Sequence, residues 1–279
     1  MFLENPLFKE TLRSVLHCWF EHGTPEPAST SGSTLSQLNV SLERFEGFFQ
    51  PIMRLRLEGS FPPWSSRAYH GLVHLQLDAG SIEEVELINL LSSSPRLRTL
   101  SFSIPVSGLK PRNAAIIPVS LSLLKTLNLD RMDINDVWSL LRLVSPGSGP
   151  LKLSIGIASF NTTENSFTRI EEAQAFLQRS NITKVRFTGG MDNRDIWFPR
   201  AFSEFPRLHT LTLSEYSFCN YEKHAPFNPY SAAICSSLRE LYLVRCRLDT
   251  NLLERLLRIH SIQALRIAGC TVLENRWRC

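Results

Sequence analysis

The chain has 279 residues, 43% of them hydrophobic and 20% charged, with a formal net charge of +4. That length accommodates one or two domains with a sizeable core, and the composition excludes a generally disordered chain. So small a net charge does not by itself mark a nucleic-acid binder, for which clustering on one face matters more than the total.

From the N-terminus, residues 6–20 predict an amphipathic helix with Leu7, Phe8, Leu12, Val15, Leu16, Trp19 and Phe20 on its apolar side. Glu4 and Glu10, with no small-residue cleavage site, argue against a secretory signal. GTPEPASTSGST, residues 23–34, follows as a flexible polar linker. Beyond it a six-residue phrase, apolar at positions 1, 4 and 6, returns again and again. LSQLNV, from Leu35, is a degenerate copy. Fuller ones are IMRLRL (Ile52), LVHLQL (Leu72), LRTLSF (Leu97), LKTLNL (Leu124), ITKVRF (Ile182), LHTLTL (Leu208), LRELYL (Leu238) and IQALRI (Ile262). PLKLSI, from Pro150, keeps positions 4 and 6 only.

Helical signals fill the intervals. SIEEVELINLLSSS opens with Ser81 and Glu84 as a capping box and carries Val85, Leu87, Ile88 and Leu91 as its apolar stripe. INDVWSLLRLV offers Ile134, Val137, Trp138, Leu141 and Val144 at helical spacing, with Asp133 as N-cap. Pro146, Gly147, Gly149 and Pro150 predict the return turn that follows. TRIEEAQAFLQRS starts with a second capping box, Thr168 and Glu171, and TNLLERLLRIH carries Leu252, Leu253, Leu256, Leu257 and Ile259. No polar capping repeat is evident after the last copy, so either Trp277 closes that end or the natural chain is longer.

The fourth-position residues are Leu55, Leu75, Leu100, Leu127, Leu153, Val185, Leu211, Leu241 and Leu265, separated by 20, 25, 27, 26, 32, 26, 30 and 24 residues. Those intervals match or approach the roughly 20–29 residues of a leucine-rich repeat. Two copies run on as LRELYLVRCRL and IQALRIAGCTV, with Cys246 and Cys270 where other such repeats carry Asn, a place where a buried thiol also serves the backbone. Alternation in a strand sends Leu75 and Leu77 to the core and His74, Gln76 and Asp78 to the opposite face. One unit cannot bury its own apolar side, so units must stack. The fold class expected is α/β: a leucine-rich-repeat solenoid, or horseshoe, with a parallel inner sheet and outer helices. Residues 1–22 form its helical cap, 23–34 the linker and 35–279 the irregular repeat domain, with insertions near 156–168 and 215–235.

The order of these parts resembles the repeat region of basidiomycete F-box-like proteins. A helix ending in Cys18-Trp19-Phe20 precedes a Gly/Pro loop, then LSQLNVSLERF, IMRLRLEG and irregular LxxLxL copies, over essentially residues 7–270. The resemblance implies non-catalytic protein recognition, as in the substrate-binding part of a ubiquitin-ligase receptor. A Leu-Pro-x-Glu-like F-box start is not found before Leu7, so a Skp-type adaptor is expected only with an F-box upstream. The alternative is a leucine-rich-repeat scaffold or inhibitor unrelated to ubiquitination.

The candidate partner-binding residues lie at positions 3 and 5 of the copies, on the inner, concave face: Arg54, Arg56, His74, Gln76, Lys152, Lys184, Arg186, Tyr242 and Arg266. Basic groups outnumber Glu240 there, partly offset by Glu58, Asp78 and Asp130 at position 7, which favours a protein partner with an acidic segment. Tyr216, Phe218, Tyr221, Phe227 and Tyr230 crowd one insertion, and Tyr221 and Tyr230 are its candidate partner contacts, Phe218 reading as core. In GGMDNRDIWFPR, packing is the reading for Ile196, Trp197 and Phe198.

Enzyme signatures are lacking: GxSxG, HExxH, GxxxxGK and GxGxxG do not occur. His70 and His74 make an HxxxH, but on a loop and a strand rather than one helix face, so no metal is expected, and no cofactor. Cys246 and Cys270 read as structural thiols. Six cysteines without a CxxC pair suit an intracellular, reducing compartment, where the Asn-x-Ser/Thr triplets at Asn39, Asn161 and Asn181 are chance matches. Neither nucleic acid nor membrane is expected as a partner, since no apolar run reaches the about 20 residues that span a bilayer.

Overall fold

Every copy of the phrase from Ile52 onward forms a β-strand, and strands adjacent in the sheet are successive copies in the chain. The computed structural model describes residues 46–47, 49, 51–58, 62–78, 80–109, 116–159, 170–189, 205, 207–217, 237–250 and 262–273. The N-terminal helix and linker, LSQLNV, Thr168, Ile196–Phe198, Phe218–Tyr230, the segment 251–261 and Trp277 lie outside them.

In chain order the elements are β1 (Arg54–Glu58), β2 (His74–Asp78), β3 (Ile82–Glu83), α1 (Glu84–Ser93), β4 (Thr99–Ser103), β5 (Val106–Ser107), β6 (Val119–Leu121), β7 (Thr126–Asp133), α2 (Ile134–Leu143), β8 (Val144–Pro146), β9 (Leu151–Ser159), α3 (Ile170–Arg179), β10 (Ile182–Thr188), β11 (Thr210–Ser214), β12 (Glu240–Val244), β13 (Arg247–Asp249), β14 (Ala264–Ala268) and β15 (Thr271–Leu273). Nine of the strands form one sheet in the order β1-β2-β4-β7-β9-β10-β11-β12-β14, every pair parallel. The short strands form three small parallel ladders, β3-β5, β6-β8 and β13-β15. The molecule is therefore α/β, built on one large parallel sheet.

From position 3 to position 6 the register is the same from strand to strand; it shifts only before Lys184 on β10 and after Leu129 on β7. Leu55, Leu75, Leu100, Leu127, Leu153, Val185, Leu211, Leu241 and Leu265 are successive partners, so the fourth-position residues form one row. A repeated backbone pattern holds it. The second-position carbonyl of one copy accepts the N–H groups of positions 2 and 3 of the next: Met53 from Val73 and His74 (2.8 and 3.0 Å), Val73 from Arg98 and Thr99, Arg98 from Lys125 and Thr126, His209 from Arg239 and Glu240. At the other end of the strand the chain enters the left-handed region at position 8, with φ of 54° at Arg131, 63° at Glu215, 53° at Arg245 and 61° at Gly269. There the N–H of Glu215 donates to Val244 and that of Arg245 to Ala268, again one copy ahead.

Burial follows the predicted alternation. Positions 4 and 6 are buried in every strand from β1 to β12, and first-position leucines such as Leu72, Leu97, Leu124 and Leu208 join them in one continuous core. The core thins at β14, the last strand of the sheet, where Leu265 is half-buried and Ile267 is 44% exposed. Val272 of β15 is exposed as well. The pattern assigns Leu265 and Ile267 to the core as it does Leu241, but β14 pairs with β12 on one side only among the described residues, so its row has one neighbour instead of two.

The first capping box falls elsewhere than expected. Ile82 and Glu83 pair with β5, so α1 begins at Glu84 with Glu83 as N-cap, whose N–H donates to the Glu86 carboxylate at 3.3 Å. Glu84, freed from capping, is fully buried and pairs with Arg142 of α2. Leu87, Leu90 and Leu91 form the buried stripe of α1, whereas Val85 is 52% exposed. Further along, α2 packs on α3, and Arg179 in the last turn of α3 donates to the Leu141, Arg142 and Val144 carbonyls at 2.7–3.3 Å. It thereby closes the C-terminal end of α2, where a cation also meets the negative end of the helix dipole.

The gradient in burial sets an expected outcome. Leu75→Ala, at a side chain 1% exposed, should cost about 2–5 kcal/mol. Ile267→Ala should cost under about 1 kcal/mol, because most of what it buries is already lost. Urea unfolding midpoints of the two variants against the parent check this.

Candidate partner-binding face

The register that aligns the core also aligns the opposite face. Position 3 gives one row across nine strands: Arg54, His74, Thr99, Thr126, Lys152, Lys184, Thr210, Glu240 and Ala264. Position 5 gives a second: Arg56, Gln76, Ser101, Asn128, Ser154, Arg186, Thr212, Tyr242 and Arg266. Neighbouring strands lie about 4.8 Å apart and alternate residues along a strand about 6.6 Å apart, so the rows make a regular polar lattice. All nine candidates on the sheet share this face; Tyr221 and Tyr230 lie outside the described residues.

The lattice divides into three electrostatic parts. At the β1–β2 end the charges cancel locally: Arg56 pairs with Glu58 and lies 4.0 Å from Asp78, which also accepts from Gln76 Nε2 at 2.6 Å. At the β11–β14 end Glu240 accepts from the Thr210 hydroxyl and the Tyr242 hydroxyl, both at 3.2 Å, and Arg266 stacks over the Tyr242 ring at 5.2 Å. Cation–π stacking of this kind holds a guanidinium in place without neutralising it.

The centre differs from both ends. Lys152 and Lys184 are direct partners on β9 and β10, and Arg186 follows two residues after Lys184. All three are exposed, and among the described residues none has an acidic partner within ion-pair distance. Their lattice neighbours are Thr126, Ser154, Thr188, Thr210 and Thr212. Asn128, in the adjoining part of the face, donates to the Ser101 hydroxyl at 3.0 Å. Asp130 reaches across to β9 on this same face: its carboxylate fills the space where a Cβ at Gly156 would stand, two residues beyond Ser154. Glycine at 156 is thus what lets that carboxylate lie flat on β9.

The two repeat cysteines serve the backbone, as expected of that position. Cys246 Sγ donates to the Leu213 and Val244 carbonyls at 3.4 and 3.5 Å, and Cys270 Sγ to Leu243 and Ala268 at 3.3 and 3.6 Å. The Cys246 N–H in turn donates to Cys270 Sγ at 3.3 Å, linking the two copies. Burial pushes the Cys246 thiol up to about 11 from its ordinary 9.0, and Cys270 beside it adds to the rise. Such a thiol holds its proton at neutral pH and is a poor nucleophile. Tyr216 occupies the same repeat position one copy earlier; it is 4% exposed and belongs to the core rather than to the insertion's surface. Its carbonyl accepts from the Arg247 N–H at 2.8 Å.

His70 ends the short 3-10 turn Arg67–Tyr69 and His74 opens β2, so the two never share a helix face. Among the described residues no group of three or more His, Cys, Asp or Glu side chains is arranged to hold a metal. Nor, among them, is any helix long and apolar enough to cross a membrane. Asn181, from one of the three Asn-x-Ser/Thr triplets, donates its side-chain amide to the Ser148 carbonyl at 2.8 Å.

No protein-family model matches the chain, and the comparison with curated proteins finds no match.

Two outcomes follow from these charges. Lys152 and Lys184 are like charges directly across a strand pair, an arrangement that destabilises a sheet. Lys184→Thr should therefore raise the thermal midpoint at low salt, and the gain should shrink at about 0.5 M salt, where screening shortens the reach of charge to a few ångströms. Scanning both proteins at the two salt concentrations reads the salt-dependent part directly. For Cys246, an unfolded thiol ionises above about pH 9 while the folded one keeps its proton to about 11. The stability that burial of the neutral thiol contributes is complete below pH 9 and is lost as pH rises to 11. In urea titrations at stepped pH, Cys246→Ala should show a shallower decline between pH 9 and 10 than the parent.

Proposed function

We propose that the chain is a leucine-rich-repeat solenoid whose polar sheet face recognises another protein without catalysis, similar to the substrate-binding part of an F-box-like ubiquitin-ligase receptor. The observation that supports this reading best is the double row of polar side chains across nine strands in unbroken register, backed by a continuous core. Strand order that follows chain order, at intervals of 20–32 residues, is what stacking of repeats produces. In such a stack the sheet lines the concave side and the helices the outside, and curvature turns the double row into an extended binding surface.

The lattice suits recognition more than chemistry. Its side chains are mostly hydroxyls, amides and exposed cations, and their hydrogen bonds run among themselves. Ser, Thr and Asn supply adaptable hydrogen bonds, while Tyr242 and the arginines are residue types that dominate interface energetics. The free thiols of Cys246 and Cys270, both engaged with carbonyls, suit a reducing, intracellular compartment. A Skp-type adaptor belongs to this scheme where an F-box precedes the repeats.

The test is positional. A photo-crosslinking residue placed at Ser101, Ser154 or Thr212 should capture a partner protein from cells, whereas the same residue at Val85 or Leu123, exposed outside the lattice, should not. Equal capture from Val85 overturns the assignment of the face. Ubiquitination of the captured partner, in a strain carrying the native-length protein, distinguishes a ligase receptor from a scaffold or inhibitor.

A further inference from the structure

We propose that Lys152, Lys184 and Arg186 are the anion-reading centre of the sheet face, and that they take an extended segment of the partner carrying two acidic residues two positions apart. This rests on the reading that the face binds a protein, and it narrows nine candidate residues to three with a stated ligand.

The argument begins with which cations are available. Arg56 is held by Glu58 and Asp78, and Arg266 lies against Tyr242, whose hydroxyl is tied to Glu240. Arg54 is exposed and outside ion-pair distance of the described acids, but its partner across the strand gap is His74 and the next residue of the face on its own strand is the neutralised Arg56, so it offers a single cation rather than a cluster. At the centre an incoming carboxylate meets three exposed cations, and every lattice neighbour of these is a hydroxyl or another member of the three. The nearest acids on the face are Asp130, whose carboxylate lies over Gly156 at the edge of the cluster but outside ion-pair distance of all three cations, and Glu240, two strands from Lys184 and already accepting two hydroxyls. Binding an anion here also relieves the repulsion between Lys152 and Lys184, a gain no other place on the face offers.

Spacing then selects the form of the ligand. Lys184 and Arg186 project from one strand about 6.6 Å apart, which is also the distance between alternate side chains of an extended peptide. A segment lying along β10 thus places acid against Lys184 and acid against Arg186, with Lys152 beside the first. Adjacent acids in such a segment point to opposite sides, and only one reaches the face. A nucleic acid fits less well: three cations neutralise few phosphates, and a longer polyanion would run on toward Glu58 and Asp78 or toward Glu240.

Two peptides of equal charge test this on the whole protein: blocked Ser-Ser-Glu-Ser-Glu-Ser-Ser and its isomer Ser-Ser-Glu-Glu-Ser-Ser-Ser. In an NMR titration at low salt the alternating peptide should move the amides of β9 and β10 and bind about threefold tighter than the isomer. Lys184→Thr combined with Arg186→Thr should weaken it roughly tenfold, while Arg56→Thr leaves it unchanged. Threonine is what β11 carries at both corresponding positions, Thr210 and Thr212, so the double variant keeps residues proven in that lattice. Equal affinity of the two isomers, shifts centred on other strands, or tighter binding of a short oligothymidylate at β9 and β10 would overturn the proposal. Peptide binding indifferent to Lys184 and Arg186, with cross-linking from Ser154 intact, overturns the acidic-segment inference alone; loss of that cross-linking overturns the protein-recognition reading.

Discussion

In five copies the carbonyl at the second position, that of Met53, Val73, Arg98, His209 or Arg239, accepts two N–H groups from the copy that follows, and much of the structure depends on that sharing. A carbonyl has two lone pairs, and using both across the strand gap ties position 2 of one copy to positions 2 and 3 of the next. The left-handed residue at position 8 repeats the linkage at the far end, with Glu215 donating to Val244 and Arg245 to Ala268. Strand pairs so pinned at both ends cannot slip. A slip of one residue would turn Leu75 and Leu77 outward and bring His74 and Gln76 into the core. The inward leucines and the backbone bonds therefore enforce the same register, each making the other affordable.

From this comes a division of labour within each phrase. Positions 1, 4 and 6 are committed to the core, so selection on the face can act through positions 3, 5 and 7 with little effect on folding. The face shows that freedom: position 3 is Arg, His, Thr, Lys, Glu or Ala in different strands, while position 4 is Leu in all but β10, where it is Val185. The cost of a charge on the face is set by its lattice neighbours. Arg56 is accommodated by Glu58, two residues on in its own strand, and by Asp78 one strand away; Lys152 has Lys184 across the gap instead.

The repeat was legible because it is written locally. Every fourth-position residue from Leu55 to Leu265, and with it every strand of the large sheet, follows from a six-residue pattern and the period of its return. The face was legible for the same reason, since alternation alone assigns Arg186 outward and Phe187 inward. What escaped the sequence depends on partners far along the chain. Glu84 reads as a capping residue three after Ser81, yet it lies buried against Arg142, 58 positions away. Arg179 looks like an exposed helix-end cation and instead closes the end of α2. Ile267 matches the core pattern as well as Leu243 does, yet it is exposed on β14, the edge strand of the described sheet, and a strand's place in a sheet is not written in its own six residues.

The same distinction governs the candidate site. Counting charges along the rows yields a mildly basic face and nothing more local, because a count gives Arg56, Lys184 and Arg266 equal standing. Geometry separates them: one guanidinium is neutralised, one is stacked, and one ammonium stands opposite another. Exposed ion pairs are each worth little, so a salt-bridged arginine at β1 adds little to stability and as little to binding, having nothing free to offer a ligand. An unneutralised cluster behaves oppositely. It lowers stability while the face is empty and returns that energy when an anion arrives, which makes the binding of an acidic group more favourable at β9–β10 than at any place where the protein has already satisfied its own charge.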